Sequence, residues 1–226
     1  MITFKEKPNN DEEIFNILNP IVKRWFKQKF NSFCLPQKFG VLPIHSRRNI
    51  LICAPTGSGK TLTAFLSILN ELIDSAEKGI LENKTYCIYI SPLKALNYDV
   101  AFNLIQPLKE IEELSGKEHG SLGIRIGVRT GDTTTKEKTD MLKNPPHILI
   151  CTPESLAILL TSQKFVDHLK DVQWLIVDEI HALAENKRGV HLALSVERLQ
   201  RLSPAMARIG LSATISPLEE ISKYLV

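Results

Sequence analysis

Two short stretches of this sequence hold residue types that can do chemistry on a phosphate. The first is Ala54-Pro-Thr56-Gly57-Ser58-Gly59-Lys60-Thr61, which ends the apolar run Ile50-Leu-Ile-Cys-Ala54 and opens the helical stretch Leu62–Leu72. This is the P-loop pattern with alanine in its first glycine position. Gly57 and Gly59 permit a tight turn in which successive N–H groups, those of Thr56 and Ser58 included, point inward at phosphate oxygens. The following helix adds its positive end. Lys60 has the reach for the β/γ-phosphates, and the Thr61 hydroxyl can ligate Mg²⁺. The second stretch is Asp178-Glu179-Ile180-His181, directly after the apolar run Trp174-Leu-Ile-Val177. An acidic pair at the carboxyl end of a buried strand stands where α/β sheets bind ligands. Asp178 would hold Mg²⁺ directly or through water, and Glu179 would polarise an attacking water. The plainer readings are a glycine-rich turn that caps a helix and a solvated acidic strand end. Strand–loop–helix context and the presence of both motifs in one chain weigh against them. A P-loop alone does not choose between kinases, GTPases and ATPase motors.

These residues need a scaffold, and the sequence supplies one. Six short apolar runs recur: Ile50–Ala54, Tyr86–Ile90, Ile124–Val128, Ile148–Cys151, Trp174–Val177 and Arg208–Leu211. Near-continuous runs rich in Ile and Val read as strands buried on both faces, as in a parallel sheet. Between them lie helical stripes. Leu93, Leu96, Val100, Leu104, Leu108 and Ile111 recur at three and four residues. Leu192, Leu194, Val196, Leu199 and Leu202 give a second core-facing segment. Asn10-x-x-Glu13 reads as a capping box, and Asn19-Pro20 restarts a helix through Trp25 and Phe26. Ser216-Pro217-Leu-Glu219 repeats that cap logic. The expectation is an α/β fold with a doubly wound, mainly parallel sheet and helices on both faces.

The chain has 226 residues, 43% hydrophobic and 23% charged, as one soluble globular domain would have. Its net charge of +3 permits nucleic-acid binding without demanding it. No apolar run approaches the ~18–20 residues that span a bilayer, and Met1–Pro8 has no signal-peptide core. Cys34, Cys53, Cys87 and Cys151 show neither C-x-x-C nor paired His/Cys spacing, which argues against zinc and disulfides. A cytoplasmic chain without membrane contact is expected.

With these motifs in view, the chain resembles the superfamily-2 DEAD/DEAH-type helicases, in which Asp-Glu-x-His is the Walker B variant. Pro36-Gln37 is similar to the Q motif, whose glutamine amide reads adenine. Ser91-Pro92-Leu-Lys94-Ala-Leu-Asn97 resembles motif Ia, and Arg129-Thr130-Gly131-Asp132 resembles motif Ib. Thr152-Pro153-Glu-Ser-Leu156 resembles the next nucleic-acid-contacting motif, and Ser212-Ala-Thr214 resembles motif III, which couples hydrolysis to movement. Trp25-Phe26, Leu62–Leu66, Lys187-Arg-Gly-Val-His191, Glu197–Leu199 and Arg208–Leu211 narrow the resemblance to the large-helicase-related (Lhr) family.

The resemblance implies a single RecA-like P-loop NTPase domain over residues 1–226, which includes an N-terminal helical segment at about 10–35. It implies ATP and Mg²⁺ as cofactors and DNA, RNA or a hybrid as partner. It also implies 3′→5′ helicase or translocase activity in nucleic-acid repair or processing. His181, Ser212 and Thr214 would couple the γ-phosphate state to the strand-gripping loops. Phe30 or Phe33 would stack on adenine, unless both are core residues. Helix openings at Ser91-Pro92 and Thr152-Pro153 offer free N–H groups to a backbone phosphate, or else are plain caps. Lys94 and Arg129 add charge to that track or are solvated surface. Lys187-Arg188-Gly189 could be a helix end with cations near its negative pole. Lys23, Arg24, Lys27 and Lys29 read as a solvated helix face.

Nothing in the sequence matches the family's second RecA-like lobe or its accessory domains. Those would supply arginine fingers, worth about 10³–10⁵ in rate, so slow hydrolysis by this chain alone is expected. Two other readings stay open: the lobe of a double-strand translocase or remodelling motor, and a nucleotide-dependent binding module without catalysis. The presence of Glu179 speaks against the second.

Overall fold

Six strands form one parallel sheet in the order β1-β6-β5-β2-β4-β3. They are β1 (Ile50–Cys53), β2 (Cys87–Ile90), β3 (Ile126–Arg129), β4 (Ile148–Cys151), β5 (Trp174–Val177) and β6 (Ala207–Ser212). The computed structural model describes residues 2–91, 101–116, 122–184, 186–213 and 218–225. Each expected apolar run became a strand, with ends moved by a residue or two. The edge strand β3 starts later than expected, with Ile124 buried just ahead of it.

Period-two alternation divides every central strand between two cores. Cys87 and Tyr89 of β2, Ile148 and Ile150 of β4 and Trp174 and Ile176 of β5 point into one core. Ile88, Ile90, Leu149, Cys151, Leu175 and Val177 point into the other. The first core is roofed by α1 (Asp11–Ile17), α2 (Pro20–Lys29), α3 (Leu35–His45), α4 (Lys60–Glu77) and α5 (Gln106–Leu114). The second is covered by α7 (Pro153–Thr161), α8 (Ile180–Ala184), α9 (Lys187–Leu202) and α10 (Leu218–Leu225). The amphipathic α6 (Thr135–Lys143) lends Met141 and Leu142 to the same side. The result is a three-layer α/β/α domain with a doubly wound parallel sheet.

Local signals account for the ends of these helices. Asn10 accepts from Glu13 N while the Glu13 carboxylate accepts from Asn10 N, the reciprocal capping box that the spacing predicts. Asn19 caps α2 ahead of Pro20. Just past the end of α3 and its C-cap Ser46, Arg47 takes φ +56° at a position that glycine usually fills. Its guanidinium lies 3.7 Å over the Trp174 ring and bonds both Glu71 oxygens at 2.6 Å. These contacts offset the backbone strain and tie α3 and α4 to the sheet.

Three expectations are corrected. Leu194 is 64% exposed, although Leu192, Val196 and Leu199 on the same helix are buried. Steps of two residues do not keep one face of a helix. Lys187-Arg188-Gly189 begins α9 rather than ending a helix, with Asn186 as N-cap. Gly189 is needed there, because a Cβ would sit 1.9 Å from Leu183 O. The stripe through Leu104 and Ile111 is not one even helix: a π turn at Ala101–Ile105 precedes α5. Pro107 lacks the N–H that a continuous α-ladder needs. Leu93, Leu96, Val100 and the cap at Ser216-Pro217 lie outside the described residues.

Candidate nucleotide and nucleic-acid edge

All six strands run parallel and end on one edge of the sheet, and the P-loop, Ser91, Arg129, Thr152, the Asp178–Glu179 pair and Ser212 all lie on that edge. The strand order separates them into two groups. The nucleotide residues follow β1, β5 and β6, on one half of the sheet. Ser91, Arg129 and Thr152 follow β2, β3 and β4, on the other half. The two groups meet where β5 lies beside β2, and the outermost strands are about 24 Å apart at the usual strand spacing.

The P-loop leaves β1 and turns through Gly57 at φ +77° and Gly59 at φ +92° into α4. Gly59 also lies against its neighbours, since a Cβ there would stand 2.8 Å from Cys34 Sγ. Lys60 is buried and spans the loop, donating from Nζ to Ala54 O at 2.6 Å and Pro55 O at 2.9 Å. Ser58 Oγ is buried with no hydrogen-bond partner among the described residues. The lysine thus folds back onto the carbonyls of its own loop.

Opposite it, Asp178 N donates to Ile90 O, so the acidic pair leaves β5 in register with β2. The Asp178 carboxylate accepts at Oδ1 from Glu179 N at 2.9 Å and at Oδ2 from the Tyr89 hydroxyl. Glu179 has φ +47°, the left-handed region that L-residues avoid. That turn starts α8 at once, with Ala182 N donating to Glu179 O. A contact chain then runs back to the P-loop. His181 Nε2 lies 3.3 Å from Glu179 Oε2, and His181 Nδ1 lies 2.9 Å from Ser212 Oγ. Ser212 O accepts from Ala54 N at 3.2 Å. Burial pushes the nearby Cys53 thiol up, against the opposing hydrogen bond with Ser212 and the charge of Lys60.

Gln37 is buried in the first turn of α3. Its Oε1 accepts from Cys34 N at 2.9 Å, and its Nε2 would lie 3.8 Å from a Cβ on Gly59. The glutamine amide therefore lies beside the P-loop. Phe33 is buried and stacks on Phe26 at 4.0 Å between centroids, while Phe30 packs on Trp25 and Phe26. Both aromatics belong to the helical cap's core.

On the other half, Thr152 caps α7 by accepting from Ser155 N at 3.3 Å, with Pro153 at the first helical position. Ser91 N donates to Cys151 O at 3.2 Å, closing β2 against β4. Arg129 is half-buried at the end of β3, and desolvation lowers its pKa. Thr130 and Gly131 form the turn after it: Thr130 N donates to Thr133 Oγ1, and Thr130 Oγ1 accepts from Asp132 N. Arg188 forms an ion pair with Glu154, joining α9 to the helix that opens at Thr152. Pro92, Lys94 and Thr214 lie outside the described residues. The Lys23 and Lys27 ammoniums lie over Phe15, and Lys29 pairs with Glu110, so that helix face is engaged locally.

Sequence reasoning missed Tyr89 and the Arg188–Glu154 pair. One signal for Tyr89 was present: a phenol in an otherwise aliphatic buried strand needs a partner for its hydroxyl. Among the described residues no helix is long and apolar enough to cross a membrane, and no three His, Cys, Asp or Glu side chains cluster as metal ligands.

The DEAD/DEAH box helicase family profile matches residues 36–221. "ATP-dependent helicase Lhr-Core protein 2" of Thermococcus barophilus is 55% identical over the whole chain, which spans 26% of that relative. "ATP-dependent helicase Lhr-Core" of Methanothermobacter thermautotrophicus is 54% identical, and the chain again spans 26% of its length. Among solved structures, the Mycobacterium smegmatis helicase Lhr bound to ssDNA and AMP-PNP superposes with a TM-score of 0.84 at 42% identity. That match covers 94% of this chain and 27% of the other. The architecture is thus that of a RecA-like helicase domain.

Proposed function

The chain belongs to the DEAD/DEAH box helicase family, and we propose that it is the ATP-binding first motor lobe of an ATP-dependent, 3′→5′ nucleic-acid helicase or translocase. The observation that carries this reading is the contact chain Glu179–His181–Ser212–Ala54. It links the candidate water-activating carboxylate to the first residue of the phosphate loop.

The residues fit a magnesium nucleotide. Among the described residues, Ser58 Oγ is buried in the loop without a partner, and the Lys60 ammonium donates to two carbonyls, which phosphate oxygens can replace. The Thr61 hydroxyl and Asp178 carboxylate are hard oxygen donors of the kind Mg²⁺ takes. When bound, the ion would screen phosphate charge. Lys60 holds the β/γ-phosphates, backbone N–H groups from Thr56 to Thr61 cradle them, and Gln37 faces the nucleotide beside Gly59. Glu179 accepts a proton from the attacking water, its carboxylate lying beside the His181 ring. His181 and Ser212 report the state of that carboxylate to the sheet edge.

The relatives' names and the single-stranded DNA in the Lhr structure support nucleic acid as the partner. Ser91, Pro92, Lys94, Arg129, Thr130, Gly131, Thr152 and Pro153 form its track. Such contacts grip the backbone and carry little sequence information. Because the relatives are about four times longer, a second lobe and accessory domains complete the motor, and residues 1–226 form one domain of it. This lobe alone hydrolyses ATP slowly, since arginine fingers are worth about 10³–10⁵ in rate.

The test is Glu179→Gln in the full-length enzyme. ATP turnover stimulated by nucleic acid should vanish while ATP affinity stays within a few-fold. Turnover that survives the substitution rules out this assignment of the general base.

A further inference from the structure

The geometry points to Tyr89 as a positioning residue that sets the Mg²⁺ affinity of the nucleotide site through Asp178, an inference that rests on the nucleotide reading above. Tyr89 is 1% exposed on β2, the strand where the two halves of the edge meet. Its ring stacks on Phe65 with centroids 5.2 Å apart and planes at 28°. Phe65 lies four residues after Thr61 on α4, hence one turn further along the same helical face. Its hydroxyl donates to Asp178 Oδ2.

The two candidate oxygen donors for the ion, Thr61 and Asp178, stand on separate elements. Tyr89 touches both of those elements. Its ring is braced by the helix that carries Thr61, and its hydroxyl fixes one carboxylate oxygen of Asp178. The second carboxylate oxygen is fixed by Glu179 N at 2.9 Å. With both donors in place the carboxylate cannot rotate freely, so its remaining lone pairs keep one direction relative to Thr61. The rest of β2 is Cys87, Ile88 and Ile90, side chains that bury as well and make no such bond. Outer-shell hydrogen bonds to ligating carboxylates commonly change metal affinity by ~10–100-fold.

Tyr89→Phe removes the hydroxyl and keeps the stacked ring. A non-hydrolysable fluorescent ATP analogue is titrated into the chain with EDTA and across a Mg²⁺ series, for wild type and variant. Expected are equal affinities in EDTA and a Mg²⁺ half-saturation about tenfold higher in Tyr89→Phe, the low end of the outer-shell range. In an Asp178→Asn background the same substitution should add less than twofold. Superimposable Mg²⁺ curves, or an equal loss of affinity in EDTA and in Mg²⁺, would overturn the role of Tyr89. If Tyr89→Phe does not fold, Phe65→Leu takes its place. It frees the ring without touching any donor and should shift Mg²⁺ half-saturation in the same direction, and an unshifted curve overturns the inference. A wild-type chain that binds no nucleotide in EDTA or in Mg²⁺ refutes the nucleotide reading itself, and one that binds equally in both overturns the Mg²⁺ inference, each visible before any variant is compared.

Discussion

Replacing Glu179 by glycine and by alanine should separate what this residue does for catalysis from what it does to the fold. Its φ of +47° places an L-residue in the left-handed region, at a cost of about 1–2 kcal/mol. Glycine removes that strain but gives the unfolded chain extra freedom, worth about 0.5–1 kcal/mol. Alanine keeps the strain. Both substitutions lose the contact with His181, which is 3.3 Å long between side chains 36% and 29% exposed. Screened by solvent, that contact is worth no more than about 0.5 kcal/mol, and it cancels between the two variants. Glu179→Gly should therefore be more stable than Glu179→Ala by about 0.5–1 kcal/mol, and within about 0.5 kcal/mol of the wild type. Urea unfolding reads this directly: with m near ~2–3 kcal/mol/M, the midpoints should differ by roughly 0.2–0.5 M at unchanged slope. Neither variant should turn over ATP. An alanine variant as stable as the glycine variant, or more stable, would refute the claim that the catalytic turn stores backbone strain.

Two further outcomes follow from local geometry. Gly59→Ala forces a side chain into φ +92° and within 2.8 Å of Cys34 Sγ, so unfolding free energy should fall by roughly 2–3 kcal/mol; adding Cys34→Ala should recover only the steric part, about 1 kcal/mol. His147 is buried, and desolvation, reinforced by the Arg125 charge, lowers its pKa to about 4. Its Nδ1 accepts from Arg125 N at 3.0 Å and so carries no proton in the fold. The unfolded chain takes up that proton near pH 6.5, so stability should hold above that pH and fall by about 2–3 kcal/mol between 6.5 and 4. Urea midpoints against pH, compared with His147→Gln, check the sign: a wild-type curve parallel to the variant's would be inconsistent with it.

The sequence made the six strands legible because each is buried on both faces, which leaves an unbroken aliphatic run. It was least informative at the sheet's edge, where β3 exposes Val128 and its start slipped. The P-loop and the Asp178–Glu179 pair were legible for a different reason: their chemistry is local, held in a few consecutive residues after a strand. What the sequence could not show is which strands are neighbours. Sheet order alone brings Tyr89 beside Asp178, separates the nucleotide half of the edge from the nucleic-acid half, and joins Arg188 to Glu154. At Lys187–Gly189 the cations alone leave the helix direction open, and a helix's negative pole is one of the ends they suit. In the fold, the Asn186 cap and the approach of Gly189 to Leu183 put those residues at the other end. Leu194 shows the same weakness on a small scale, since a leucine in an amphipathic run need not face the core.

The central claim is that one sheet edge holds a magnesium nucleotide through Lys60, Thr61 and Asp178. Calorimetric titration of Mg²⁺–ATP into this chain and into Lys60→Ala tests it most directly. The account predicts one site per chain for the wild type, and an affinity at least tenfold weaker, or undetectable, once the ammonium is gone. Equal affinity in the two proteins would contradict it.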